Sequence, residues 1–130
     1  MKLLLFTVNA NTGNTVRTIL ADENISAHIV SAKSHEQTLE NLMHDSFDMV
    51  IIESTAQSRN GLELLKKIKM HHPTIPVLML SLNNTRAFAV QAMRLNAQGF
   101  LSNDRIASEI ADAVKSIQLG RCYMTTELTA

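Results

Sequence analysis

Two spacings of apolar residues alternate along the chain. Lys2 to Val8 is an apolar run without helical spacing. From Asn11 to Asp22, Val16, Ile19 and Leu20 fall at i, i+3 and i+4, the spacing of one helix face. The alternation then repeats. Ile25 to Val30 reads as a second strand, and Ser34 with Gln37 in "SHEQ" has the spacing of a capping box that opens a helix through His44. Asp48 to Glu53 reads as a third strand, and Gly61 to Met70 as a helix with Leu62, Leu65 and Ile68 on one side. Ile75 to Ser81, with Pro73 and Pro76 at its start, reads as a fourth strand, followed by a helix from Asn84 to Leu95. Gly99 to Leu101 reads as a short fifth strand. Asp104 is expected to cap a last helix whose Ile106, Ile110, Val114 and Ile117 face inward. Strand and helix alternate five times, which predicts an α/β fold with a five-stranded parallel sheet covered on both faces.

The third strand ends on a carboxylate, Glu53, after the apolar run Met49 to Ile52. In an open parallel sheet, ligands bind in the crevice beyond the carboxyl ends of the strands. Glu53 is therefore expected at that crevice. The plainer reading is a solvated acid at a strand end.

Composition narrows the function classes. Apolar residues make up 45% of the 130 and charged residues 18%, as in an ordinary globular domain. Twelve basic residues balance twelve acidic ones, so no overall field favours nucleic acid or a membrane surface. The single cysteine, Cys122, has no internal disulfide partner, which fits a reducing cytoplasm. No apolar run approaches the ~18 residues of a membrane span, and "MKLLLF" is too short for a signal-peptide core.

The segments "FDMVIIES…NGLELLKKIK", "IPVLMLS", "AMRLNAQGFLSND" and "SIQLGRCYMTTEL", in that order, give the chain an end-to-end resemblance to the receiver domains of bacterial response regulators. It resembles most the NarL/FixJ-like group, which joins a receiver to a helix-turn-helix DNA-binding domain. The resemblance implies a doubly wound, flavodoxin-like sheet of strand order 2-1-3-4-5 over residues 1–120. It also implies that residues 121–130 begin a linker towards a DNA-binding domain outside this chain. The implied partners are DNA through that domain and a second copy of the receiver. A free-standing module that binds a protein partner is the other class.

Residue by residue, the resemblance puts Glu53 at the phosphoacceptor position, where the family has an aspartate. The acid pair that helps hold Mg²⁺ falls on Thr7 and Val8, or on Val8 and Asn9, none of them acidic. The lysine that contacts the phosphoryl oxygens falls on Asn103, and the loop proline on Gln57. Ser81 keeps the switch hydroxyl, and Phe88 keeps the switch aromatic. Phosphoryl transfer depends on positioning and on cations at the equatorial oxygens. Mg²⁺ ordinarily takes at least one or two carboxylates besides phosphate. The expectation is therefore that no metal is held and that phosphorylation is absent or very inefficient. Glu53 then stands either as a permanent imitation of the phosphorylated state, bonded to Ser81, or as a relic.

A rival in the same fold class is a flavodoxin-like FMN protein. "NTGNT", residues 11–15, resembles a phosphate loop at a helix start. The chain has no Trp and one Tyr, Tyr123, to flank a flavin, so no cofactor is expected. The plain reading of the stretch is a helix start capped by Asn11, Thr12 or Asn14, with Gly13 in the turn. His71 and His72 suit a helix C-terminus. His28, His35 and His44 lack metal-ligand spacing with Cys122, the seven Met are core filler, and Asp48 reads as a loop acid. Neither a Ser-His-Asp order nor a paired-carboxylate motif points to an enzyme. Dimerisation is expected through helices. The first choice is the first helix, by Val16 and Ile19, with the last. The second is the Phe88 to Met93 face with the fifth strand.

Overall fold

The computed structural model describes residues 1–54, 60–81 and 86–125. Its elements are β1 (Lys2–Phe6), α1 (Ala10–Asp22), β2 (His28–Ala32), α2 (His35–His44), β3 (Met49–Ser54), α3 (Asn60–His71), β4 (Val77–Ser81), α4 (Arg86–Arg94), β5 (Gly99–Ser102), a 3₁₀ turn (Asn103–Arg105), α5 (Ile106–Gln118) and β6 (Tyr123–Met124). The sheet runs β2-β1-β3-β4-β5-β6, with every neighbouring pair parallel. The predicted order of five strands is correct, and the strand count needs a sixth. Two residues give no periodic signal, so β6 becomes legible only through its partners. Tyr123 N–H donates to the Gln98 carbonyl at 2.9 Å and Thr125 N–H to the Phe100 carbonyl at 2.9 Å. The sheet thus continues past position 121, where a linker was expected to begin.

Period-two alternation feeds two cores from one sheet. Leu3, Leu5, Met49, Ile51, Leu78 and Leu80 pack against α1 and α5. Leu4, Phe6, Val50, Ile52, Met79 and Phe100 pack against α2, α3 and α4. β3 is covered on both faces, so its apolar run is continuous rather than alternating. Val16 is fully buried in the α1–α5 core, as are Ile110, Ala113 and Val114. This corrects the expectation that Val16 serves a dimer face, because the sheet has already consumed it.

Several boundaries move for identifiable reasons. Asn24 has φ 58°, and the Ile25 N–H donates to the Leu20 carbonyl at 2.8 Å, closing α1 with a left-handed residue. Ile25 thereby belongs to the helix end, and β2 starts at His28 rather than Ile25. Asn96 ends α4 and Gly120 ends α5 by the same device. Pro76 has no N–H to give the ladder, so β4 starts at Val77. Asp104 is not the cap of α5: it sits inside the 3₁₀ turn and accepts a hydrogen bond from the Ser102 hydroxyl. The Ser34 cap is as expected, accepting from Gln37 N–H at 3.0 Å. The reciprocal bond runs from Lys33 N–H to Gln37 Oε1 at 2.9 Å, one residue earlier than a capping box requires.

Candidate functional site

The crevice lies where β1, β3, β4 and β5 end. Parallel register aligns Glu53 with Leu80, and Ser54 with Ser81 and then Ser102 across three strands. Those serines are almost wholly buried, and Ser54 and Ser102 had no sequence signal beyond their positions in the register. Glu53 is half-buried at the rim.

Both oxygens of the Glu53 carboxylate are held by threonine hydroxyls. Thr7, just past β1, donates to Oε1. Thr12, in the first turn of α1, donates to Oε2 at 2.6 Å. Both threonines are buried, so these bonds replace solvation that the hydroxyls have lost. Thr7 Oγ1 also accepts from Asn9 N–H at 3.0 Å. Asn9 caps α1, its Oδ1 accepting from Asn11 N–H at 3.0 Å. One short network therefore ties β3, the end of β1 and the start of α1 to a single carboxylate.

This geometry corrects two expectations. Glu53 is turned towards β1 and α1, and among the described residues its hydrogen bonds go to Thr7 and Thr12 rather than to Ser81 as expected. Further, α1 starts at Ala10 with Asn9 as its cap, so Asn11, Thr12 and Asn14 are helical rather than caps, and Gly13 is a buried helical residue. "NTGNT" thus has no free loop of N–H groups to cradle a phosphate, which removes the basis of the flavin reading. Thr12 was singled out only within that stretch. It lies one helical turn past the cap, where its hydroxyl can reach the neighbouring strand.

The remaining predicted positions divide. Of Thr7, Val8 and Asn9, Thr7 is the one whose side chain hydrogen-bonds Glu53. Val8 is 71% exposed, and Asn9 is spent on the helix cap. Phe88 is buried with its ring 5.9 Å from that of Phe100. Asn103 opens the 3₁₀ turn after β5, its Oδ1 buried without a hydrogen-bond partner. Gln57 lies outside the described residues, as does Asn84. Among the described residues, no group of three or more His, Cys, Asp or Glu could hold a metal ion.

Other candidates have structural roles. Asp48 is more than a loop acid: Oδ2 accepts from Lys2 N–H at 2.7 Å, and its own N–H donates to the Lys2 carbonyl at 2.8 Å. His71 ends α3, and His72 N–H donates to the Ile68 carbonyl at 2.7 Å. The His35 ring stands edge-on to Phe6 at 5.2 Å, and burial, then Lys67, lowers its pKa. Cys122 is exposed. No helix of the described residues is long and apolar enough to cross a membrane.

Comparison with known proteins gives one consistent answer. The family model for the response regulator receiver domain matches residues 9–115. The transcriptional regulatory protein LnrK of Bacillus subtilis is 29% identical over 102 residues, covering 78% of this chain and 46% of that protein. The glycerol metabolism activator of Pseudomonas putida is 27% identical over 85 residues, covering 65% of this chain and 38% of that protein. The chain spans about half the length, or less, of these curated relatives. Among solved structures, the isolated receiver domain of RcsB from Salmonella enterica superposes with a TM-score of 0.86 at 18% identity, covering 99% of this chain and 96% of that one. A LuxR-family two-component response regulator from Aurantimonas superposes with a TM-score of 0.87 at 19% identity, covering 98% and 91%.

Proposed function

The chain belongs to the response regulator receiver domain family, and from that premise we propose that it is a regulatory receiver whose output does not require phosphoryl transfer. The observation that supports this reading is the double clamp on Glu53. The carboxylate at the phosphoacceptor position has each oxygen held by a threonine hydroxyl, Thr7 on one and Thr12 on the other. An in-line attack needs an oxygen turned towards the phosphodonor and cations to take up the developing charge, whereas these two bonds hold the carboxylate turned towards β1 and α1. Thr7, Asn9 and Asn103 offer only neutral dipoles there, and one glutamate alone is a poor Mg²⁺ site. On this reading Glu53 is a built-in anion. It imitates a phosphoryl group through β1 and α1 rather than through Ser81.

Relatives described as transcriptional regulators support a place in transcription control. DNA recognition would then lie in a helix-turn-helix domain outside these 130 residues, consistent with their zero net charge. Control without phosphate would act through association of two receivers along helix faces. The outer faces of α1 and α5 offer mainly polar groups such as Thr15, Thr18, Asp112 and Lys115, so such a contact is polar.

The test is a Mg²⁺ titration followed by amide NMR. Residues 7–12 and 53 should show no saturable shift up to ~10 mM, far above the affinity of a functional site. Saturable shifts there, abolished by Glu53→Gln, would overturn the reading. Light scattering tests association separately: a monomer persisting at ~100 µM means association weaker than ~−5.5 kcal/mol and removes the dimer from the proposal.

A further inference from the structure

We propose that a second cleft, between α1 and the end of β2, binds a small organic phosphomonoester. The cleft has a volume of about 310 Å³ and is lined by Val8, Gly13, Asn14, Arg17, Ser31 and Lys33 among others. It adjoins the Glu53 crevice through Thr7, which lines the cleft and also bonds Glu53, but its two cations take no part in the Glu53 network.

Charge is the first argument. The chain as a whole is neutral, yet this cleft holds two cations. Among the described residues, neither Arg17 nor Lys33 pairs with a carboxylate. Arg17 donates from Nη2 to Ser31 Oγ at 2.9 Å and to the Ile29 carbonyl at 3.5 Å. Those bonds fix one end of the guanidinium and leave Nη1 and Nε without a protein acceptor among the described residues. A guanidinium held in place loses little freedom on binding, and its remaining N–H groups can each donate singly to an anion.

Shape is the second argument. Gly13 lies in the middle of a helical turn, where glycine costs roughly 0.5–1 kcal/mol relative to alanine. A Cβ there would stand 3.2 Å from Arg17 Nη1, a tight approach from which the guanidinium would have to give by a few tenths of an ångström. Val8, which is 71% exposed, adds an apolar surface to the same cleft. Two cations beside an apolar wall suit an organic dianion, and a phosphomonoester carries close to two negative charges at pH 7. The volume is at the small end of ligand sites, which run ~300–1,000 Å³, and suits a sugar phosphate or a mononucleotide.

The experiment titrates the protein with ribose 5-phosphate, AMP and inorganic phosphate, with ribose and adenosine as uncharged controls, followed by amide NMR. The two phosphomonoesters should shift residues 8, 13, 14, 31 and 33 saturably, with Kd of ~1 mM or tighter. Arg17→Gln and Lys33→Gln should each weaken binding about tenfold, as loss of a charge-assisted donor predicts. Both side chains are exposed, so the variants should fold like the parent. No saturation by ~10 mM, or unchanged affinity in Arg17→Gln, would overturn the site. Equal binding of inorganic phosphate and the esters, or equal binding of the uncharged controls, would overturn the assigned ligand class.

Discussion

Glu53 and Glu109 are held alike and placed differently. Each carboxylate accepts hydrogen bonds from two hydroxyls. Glu53 takes Thr7 and Thr12. Glu109 takes the Tyr123 phenol at 2.5 Å and the Thr125 hydroxyl at 3.1 Å. Glu109 is only 7% exposed, with Arg105 Nε 3.9 Å away, and its donors sit on and just after β6. Glu53 stands half-open at the ends of the strands. One acid clips an edge strand to α5; the other closes a crevice in which the fold ordinarily binds ligands. Hydroxyl clamping therefore does not by itself mark a functional acid, and its place in the sheet decides.

Removing each acid should separate the two roles. Glu109→Ala strands the buried Thr125 hydroxyl and the half-buried Tyr123 phenol and should cost about 2–3 kcal/mol, the range for hydrogen bonds to a charged group. Urea unfolding measures it, with faster amide exchange at Tyr123 and Thr125. Glu53→Ala should cost less, about 1 kcal/mol, because water can replace the carboxylate at the rim. An equal loss in both variants would make Glu53 a structural clip and collapse the distinction.

Finer effects sharpen it. Thr12→Val should cost roughly 0.5–1 kcal/mol, and a double-mutant cycle with Glu53→Gln should show coupling of that order. No coupling would mean that the clamp contributes nothing to folding. The smallest effect concerns pH. Burial, and then the Glu109 hydrogen bond, raise the Tyr123 pKa, so the folded state keeps its phenol protonated where the unfolded chain has released it. The unfolded state then binds fewer protons, and stability falls as pH climbs above ~10. Tyr123→Phe should flatten that part of the stability curve.

Much of this molecule is legible in the residues. The alternation of strand and helix, the order of the first five strands and the place of Glu53 at their carboxyl ends all follow from apolar spacing and resemblance. What was not legible depends on register and on contacts between distant segments. The partners of Glu53 lie 46 and 41 residues away, so no local pattern reveals that it faces Thr7 and Thr12 rather than Ser81. Glu109 reads as one polar residue in an apolar face until Tyr123 folds back upon it. Asn9 competes as a cap with three other polar residues in the same stretch, and only backbone geometry chooses among them. β6 has two residues and no pattern of its own.

Phosphoryl incorporation is the most direct measurement. The protein, incubated with Mg²⁺ and a small-molecule phosphodonor and examined by intact-mass spectrometry, should gain no phosphoryl group, because Glu53 is clamped by Thr7 and Thr12 and forms no ion pair among the described residues. Stoichiometric incorporation that maps to Glu53 and disappears in Glu53→Gln would contradict the account.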